Sequence, residues 1–235
     1  MKNLILVAGV SGSGKSHLEG AMKALGYLRG ITSTTRAMRD GEVNGVDYFF
    51  ETEESMAKMK SEGKLVESAT IRGNTYGMTT ESLSKVFELT DRIFLVLDPQ
   101  GIKQYQDYFS TQTTPYNIVT VFIDCPNDIQ EARIRARLPD NPSKPQLHEV
   151  AKALLCAKEF EQSWREMVTA DIYCPISRDN NDVAEILNKI HRSVSSKSEP
   201  ELVASIEPHT WSPNDRDVDK MISNLSSSRS PKFKF

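Results

Sequence analysis

Apolar positions along the chain follow two rhythms. Short unbroken apolar runs at Asn3–Ala8, Arg92–Leu97, Asn117–Asp124 and Ile172–Ile176 read as strands buried on both faces. At Ser16–Leu25, Ile129–Leu138, His148–Met167 and Asp182–Val194 apolar residues recur every three or four positions, the spacing of helices that bury one side. Strands alternating with helices predict an α/β fold, a parallel sheet flanked by helices. From Ile31 to Glu88 the chain turns Thr- and aromatic-rich, with turn signals at Arg39-Asp40-Gly41, Asn44-Gly45 and Arg72-Gly73-Asn74, which predicts a β-rich insertion. Between Asp124 and Phe160 a loop carrying Pro139, Pro142 and Pro145 joins two helical stretches. That pattern predicts a helical hairpin able to close over a ligand.

Composition narrows the picture. At 235 residues and 38% hydrophobic, the chain can bury one sizeable core with inserted subdomains. The expected division is a catalytic unit over 1–194, with a core at 1–31, 89–123 and 165–194, an insertion at 32–88 and a lid at about 124–160. Residues 195–235 form a Ser/Pro-rich tail. Within it, Ser212-Pro213-Asn214-Asp215 resembles a helix start, and Val218, Met221, Ile222 and Leu225 share one helical face over 213–225. This segment either docks on the body or stays an unstructured extension. A net charge of −3 exerts no general pull toward nucleic acid or anionic membrane, so neither partner is expected. Three widely spaced cysteines, Cys125, Cys156 and Cys174, argue against a disulfide framework or a zinc site and fit a reducing compartment. No run approaches the ~18 apolar residues of a membrane span, so a cytoplasmic location is expected.

The chemistry starts at Gly9-Val10-Ser11-Gly12-Ser13-Gly14-Lys15-Ser16, which fits G-x-x-x-x-G-K-[ST] and sits between a predicted strand and a predicted helix. Glycines let the backbone curl until its N–H groups face phosphate oxygens, and the helix N-terminus adds partial positive charge. Lys15 then reaches the β and γ phosphates of a nucleoside triphosphate, and Ser16 offers its hydroxyl to Mg²⁺. Arg36 and Arg39, three apart near a turn, together with the phenols of Tyr48 and Tyr76, make a fitting clamp for a second phosphate dianion.

Ser33-Thr34-Thr35-Arg36, Arg39, the run Gly41 to Phe50, Glu67, Gly73-Asn74-Thr75-Tyr76-Gly77 and Asp98-Pro99-Gln100-Gly101, together with the phosphate loop, resemble the guanylate kinase family from about residue 3 to about 192. The resemblance implies ATP-dependent phosphorylation of GMP or dGMP with Mg²⁺. Ser33, Arg36, Arg39, Tyr48 and Tyr76 would then hold the acceptor nucleotide. Glu67 and Asp98 match carboxylates that read guanine, whose N1–H and N2–H₂ are adjacent donors where adenine has an acceptor at N1. Arg133 and Arg137, four apart on one helix face, resemble lid arginines that grip ATP phosphates, while Arg135 should point elsewhere. The implied catalytic set is Lys15, Arg36, Arg133 and Arg137. The expected partners are small nucleotides, and no oligomeric state follows.

The chain also departs from the family. Met78 stands where a Ser or Thr helps bind the base. Val96 replaces an Asp near the metal and phosphates, and Ala153 occupies the place of a second lid Arg, for which Lys152 or Lys158 could substitute. Two other readings use the same residues: a kinase of relaxed specificity for (deoxy)nucleoside monophosphates or a sugar phosphate, and a catalytically inactive guanylate-kinase-like module that binds peptides. Intact Gly9, Gly14, Lys15 and Ser16 weigh against the inactive module.

Overall fold

The computed structural model describes residues 2–113, 116–176, 182–196 and 215–227. The first elements in chain order are β1 (Lys2–Gly9), α1 (Lys15–Ala24), β2 (Leu28–Arg29), β3 (Ser33–Thr34), β4 (Phe49–Phe50), α2 (Glu53–Ser61), β5 (Leu65–Ile71) and β6 (Asn74–Thr79). They continue as α3 (Thr80–Leu89), β7 (Arg92–Val96), α4 (Pro99–Ser110), β8 (Tyr116–Asp124), α5 (Asn127–Arg135), α6 (Lys144–Glu159), α7 (Trp164–Met167), β9 (Ile172–Pro175), α8 (Asp182–Ser196) and α9 (Asp215–Ser227).

A central sheet runs in the order β2-β7-β1-β8-β9, with every pairing parallel. Alternate residues of β1 serve opposite faces, which is why its sequence is apolar throughout. Leu4, Leu6 and Ala8 pack with Leu83 and Phe87 of α3 and with Ile102, Tyr105 and Phe109 of α4. Ile5 and Val7 pack with Leu18 and Met22 of α1 and with Ile186 and Ile190 of α8.

The four strands predicted from unbroken apolar runs are β1, β7, β8 and β9. The insertion holds a second, smaller sheet in the order β4-β3-β6-β5, but it also carries α2 and α3, which the β-rich reading did not contain. Each is started by a threonine cap: Thr52 accepts from the Ser55 backbone N–H and Thr79 from that of Ser82. α4 lies outside the predicted helices; its start, N-cap Asp98 followed by Pro99, coincides with the Asp98-Pro99-Gln100-Gly101 motif.

The helix expected over His148–Met167 is two pieces. α6 begins earlier, where Ser143 and Gln146 form a capping box ahead of Pro145, and ends at Phe160. A short 3-10 turn, Glu161–Ser163, then leads into α7. The tail helix does form over 215–227, and it docks. Val218 is fully buried and Leu225 nearly so, packed with Ile134, Val150, Leu154 and Leu155. Its seat is therefore α5 and α6 rather than the central sheet. The linker of 197–214 and the residues after 227 lie outside the described residues.

Candidate functional site

The loop between β1 and α1 is shaped by crowding. A Cβ on Gly9 would stand 2.3 Å from the Ile123 carbonyl oxygen of β8, so no other residue fits there without moving the strand. Gly12 and Gly14 adopt φ of 76° and 93°, which residues with a Cβ adopt only with strain. The Lys15 ammonium folds back to donate to the carbonyls of Gly9 at 2.7 Å and Val10 at 2.8 Å. Desolvation lowers its pKa to about 8, while the carboxylate of Glu161 pulls the other way and the charges of Arg137 and Arg72 add to the fall.

Glu161 is the site residue that sequence reasoning missed. It is 1% exposed and accepts from the Ser11 backbone N–H and the Ser11 hydroxyl, each at 2.6 Å, and from Gln130 Nε2 at 2.9 Å. It stands where α6 gives way to the 3-10 turn, so the end of the predicted lid is bonded to the phosphate loop. A lone glutamate just after a helix carries no local signal of such a partner 150 positions away.

The loop opens into a cleft of about 740 Å³ at the C-terminal edge of the central sheet, where open α/β folds bind ligands. Gly9, Ser11, Gly12, Gly14, Lys15 and Ser16 line one end. The Val10 side chain is instead in the core, and the Ser13 hydroxyl is buried without a partner. Arg133 on α5 donates to the Gly12 carbonyl at 3.0 Å, and Arg137 lines the cleft just past that helix. Partial desolvation, then the charges of Arg72 and Arg39, hold Arg137 below its ordinary pKa. Arg135 turns away and pairs with Glu131.

Arg36, Arg39, Tyr48, Tyr76, Glu67 and Asp98 line the other end. Ser33 does not; it is buried in β3, opposite Gly77 and Phe49. Arg36 forms a two-pronged pair with Glu42 at 2.7 and 3.0 Å while its guanidinium lies over the rings of Tyr48 and Phe50. Arg39 pairs with Glu149, which ties the segment around β3 and β4 to α6.

Glu67, from β5, is 3% exposed, and its Oε1 has no hydrogen-bond partner. Desolvation, and next the charge of Asp98, push its carboxyl up to about 8. Asp98 caps α4 by accepting from the Gly101 backbone N–H at 2.6 Å. Burial raises its pKa despite bonds from backbone N–H groups. A buried acceptor oxygen without a donor, aimed at a cleft, is satisfied by a ligand that donates.

The departures are placed as follows. Met78 is fully buried in the core beneath Gly30, so position 78 presents nothing to the cleft. Val96 lines the cleft as an apolar wall. Ala153 is 1% exposed and faces the cluster shared with α9, and neither Lys152 nor Lys158 lines the cleft. Among the described residues no group of three His, Cys, Asp or Glu could hold a metal ion. Ser16, at the start of α1, presents a hydroxyl among the loop residues that line the cleft. No described helix is long and apolar enough to cross a membrane.

Comparison with known proteins gives a consistent likeness. The sequence profile of the guanylate kinase family matches residues 1–197. The guanylate kinase of Rickettsia felis is 30% identical over 199 residues, covering 83% of this chain and 94% of that one. That of Schizosaccharomyces pombe is 34% identical over 143 residues, covering 59% and 68%. Among solved structures, the guanylate kinase of Anaplasma phagocytophilum superposes with a TM-score of 0.59 at 24% identity over 84% of this chain and 88% of that one, a likeness of fold.

Proposed function

Because this chain belongs to the guanylate kinase family, we propose that it transfers the γ-phosphoryl group of ATP to a phosphate oxygen of GMP or dGMP. The observation that carries this is a single cleft with an intact phosphate loop at one end and, at the other, the unpartnered Oε1 of Glu67 beside Asp98.

The acceptor's phosphate exchanges for Glu42 and Glu149 on Arg36 and Arg39, while Tyr48 and Tyr76 add neutral donors. Glu67 and Asp98 accept from guanine N1–H and N2–H₂. Lys15 leaves the loop carbonyls for the β and γ phosphates, and the backbone N–H groups of Gly12 to Ser16 receive the phosphate oxygens. Arg133 and Arg137 neutralise the donor from the lid side. Mg²⁺, held in part by Ser16, supplies charge neutralisation on the triphosphate when bound. The acceptor is already an ionised phosphate oxygen, so no strong base is required. Catalysis comes from aligning two polyanions in a cleft from which closure expels water.

In this view residues 1–31, 89–123 and 165–194 are the core, 32–88 the acceptor-binding insertion and about 124–160 the lid, with α9 moving as part of the lid. Three buried cysteines that form no disulfide among the described residues suit the cytoplasm. Small nucleotides suffice as partners, with neither nucleic acid nor membrane required. The inward Met78 supports a second reading, a broader range of acceptors, since no hydroxyl from that position meets the base.

A panel of nucleoside monophosphates assayed with ATP and Mg²⁺ tests both. GMP and dGMP should far outrun AMP, and Glu67→Gln should raise the GMP KM by about 10- to 100-fold, equivalent to ~1–3 kcal/mol of lost binding. Equal use of AMP and GMP would favour the broader kinase, and no transfer to any acceptor would end the enzymatic reading.

A further inference from the structure

Arg72 sits at the tip of the hairpin joining β5 to β6, and it is the one residue other than glycine, among those described, with positive φ, at 54°. With Gly73 at 77° it forms a two-residue turn of the kind that favours Asn-Gly. Arginine is sterically strained there, so the turn chemistry alone does not account for it. Its side chain lines the phosphate end of the cleft with Gly12, Gly14, Lys15, Arg133 and Arg137.

Arg72 touches the thiol of Cys156 on α6, a weak acceptor, and so keeps most of its donors for a ligand. Arg36 and Arg39 are held by Glu42 and Glu149, and Arg133 is bonded to Gly12. Among the described residues no carboxylate stands within ion-pairing distance of Arg72. Its charge is felt at both Lys15 and Arg137, which places a third cation in the space that those two share. α6, meanwhile, lends no cation to the cleft wall.

We propose that Arg72 is a catalytic residue, a guanidinium carried by the acceptor-binding insertion that contacts the phosphoryl group in transfer. As the bond from Pγ to the β-bridging oxygen breaks and the bond from the acceptor's phosphate oxygen to Pγ forms, the equatorial oxygens of Pγ and the leaving ADP oxygen hold the charge. Arg72 offers them a forked donor and exchanges no proton. Lys15, Arg133 and Arg137 belong to the donor side. Arg72 arrives with the acceptor, so full neutralisation requires both substrates.

The inference rests on the kinase reading, and the test separates the two. Arg72→Gly relieves the strained φ, so its melting temperature should equal or exceed that of the unmodified protein. Its kcat for GMP phosphorylation should fall about 10- to 100-fold, a modest loss for one of several phosphate-stabilising donors, with KM for ATP and GMP within about threefold. Arg72→Lys, which keeps charge but not the fork, should lie between, and millimolar guanidinium ion should partly restore Arg72→Gly. A kcat within twofold of the unmodified enzyme in Arg72→Gly, or a loss confined to KM, would overturn the assignment of Arg72 alone. Should Arg72→Gly not fold, full activity in Arg72→Lys without guanidinium-specific effects would overturn it equally. Inactivity of the unmodified protein would instead defeat the kinase reading.

Discussion

Removing the Glu161 side chain should cripple the phosphate loop from behind. Four donors converge on this carboxylate: the Ser11 backbone N–H, the Ser11 hydroxyl, Gln130 Nε2 and, more weakly, the Cys156 thiol at 3.7 Å. In Glu161→Ala the hydroxyl can rotate toward another acceptor, but the N–H and the amide are left buried. At about 1–3 kcal/mol for each stranded donor, the loss is roughly 2–6 kcal/mol. Glu161→Gln keeps the shape. Its carbonyl oxygen can serve the Ser11 N–H and Gln130, and its amide can donate to a rotated Ser11 hydroxyl, so only charge assistance goes, about 1–2 kcal/mol. Urea unfolding should rank the variants in that order. Glu161 is also the strongest upward influence on Lys15, whose pKa is already about 8. Phosphate binding needs the lysine protonated, so KM for ATP should rise as pH passes that value, and at lower pH in either variant. An Ala variant within ~0.5 kcal/mol of the unmodified protein, the usual range of a featureless surface substitution, with an unshifted KM profile would refute the anchoring of the loop by this contact.

Two further outcomes follow from the same geometry. With Glu67 held protonated up to about 8 in the empty cleft, the ionised form that accepts from guanine gains as pH rises, so KM for GMP should fall between about pH 6 and 8. Glu67→Gln should flatten that trend, and a flat profile in the unmodified protein would contradict it. Unliganded stability runs the other way, since the folded protein holds a proton that the unfolded chain has lost. The urea midpoint should decline from about pH 5 to 8, and Glu67→Gln should remove part of that decline. Truncation after Val194 removes α9, whose Val218 and Leu225 each contribute ~1.5–3 kcal/mol of gross burial. Because α9 covers α6, hydrogen exchange should quicken in α5 and α6 more than in β1, β7 and β8. Unchanged protection of α6 would show that the docked helix adds nothing there.

Features set by neighbours along the chain are legible without coordinates. A strand buried on both faces must be apolar at every position, so β1, β7, β8 and β9 were visible as runs. A loop that cradles phosphate must place its glycines, lysine and hydroxyl within a few residues, so Gly9 to Ser16 was visible as a pattern. Arg36, Arg39 and Tyr48 lie close together in the chain, and Asp98 follows a strand directly; these too could be read, together with the family resemblance, and all four line one cleft. The tertiary structure alone decided contacts between distant segments. Nothing near Glu161 announces Ser11, nothing near Arg39 announces Glu149, and the turn signal at Arg72-Gly73-Asn74 does not say where the guanidinium goes. Met78 alternates with its neighbours in β6, so its residue type does not reveal which face it serves; only the packing beneath Gly30 turns it inward. The apolar face of α9 was legible, but its seat was not. Periodicity specifies that a face must be covered, whereas what covers it depends on which other apolar surface the folded chain leaves open, here the outer side of α6.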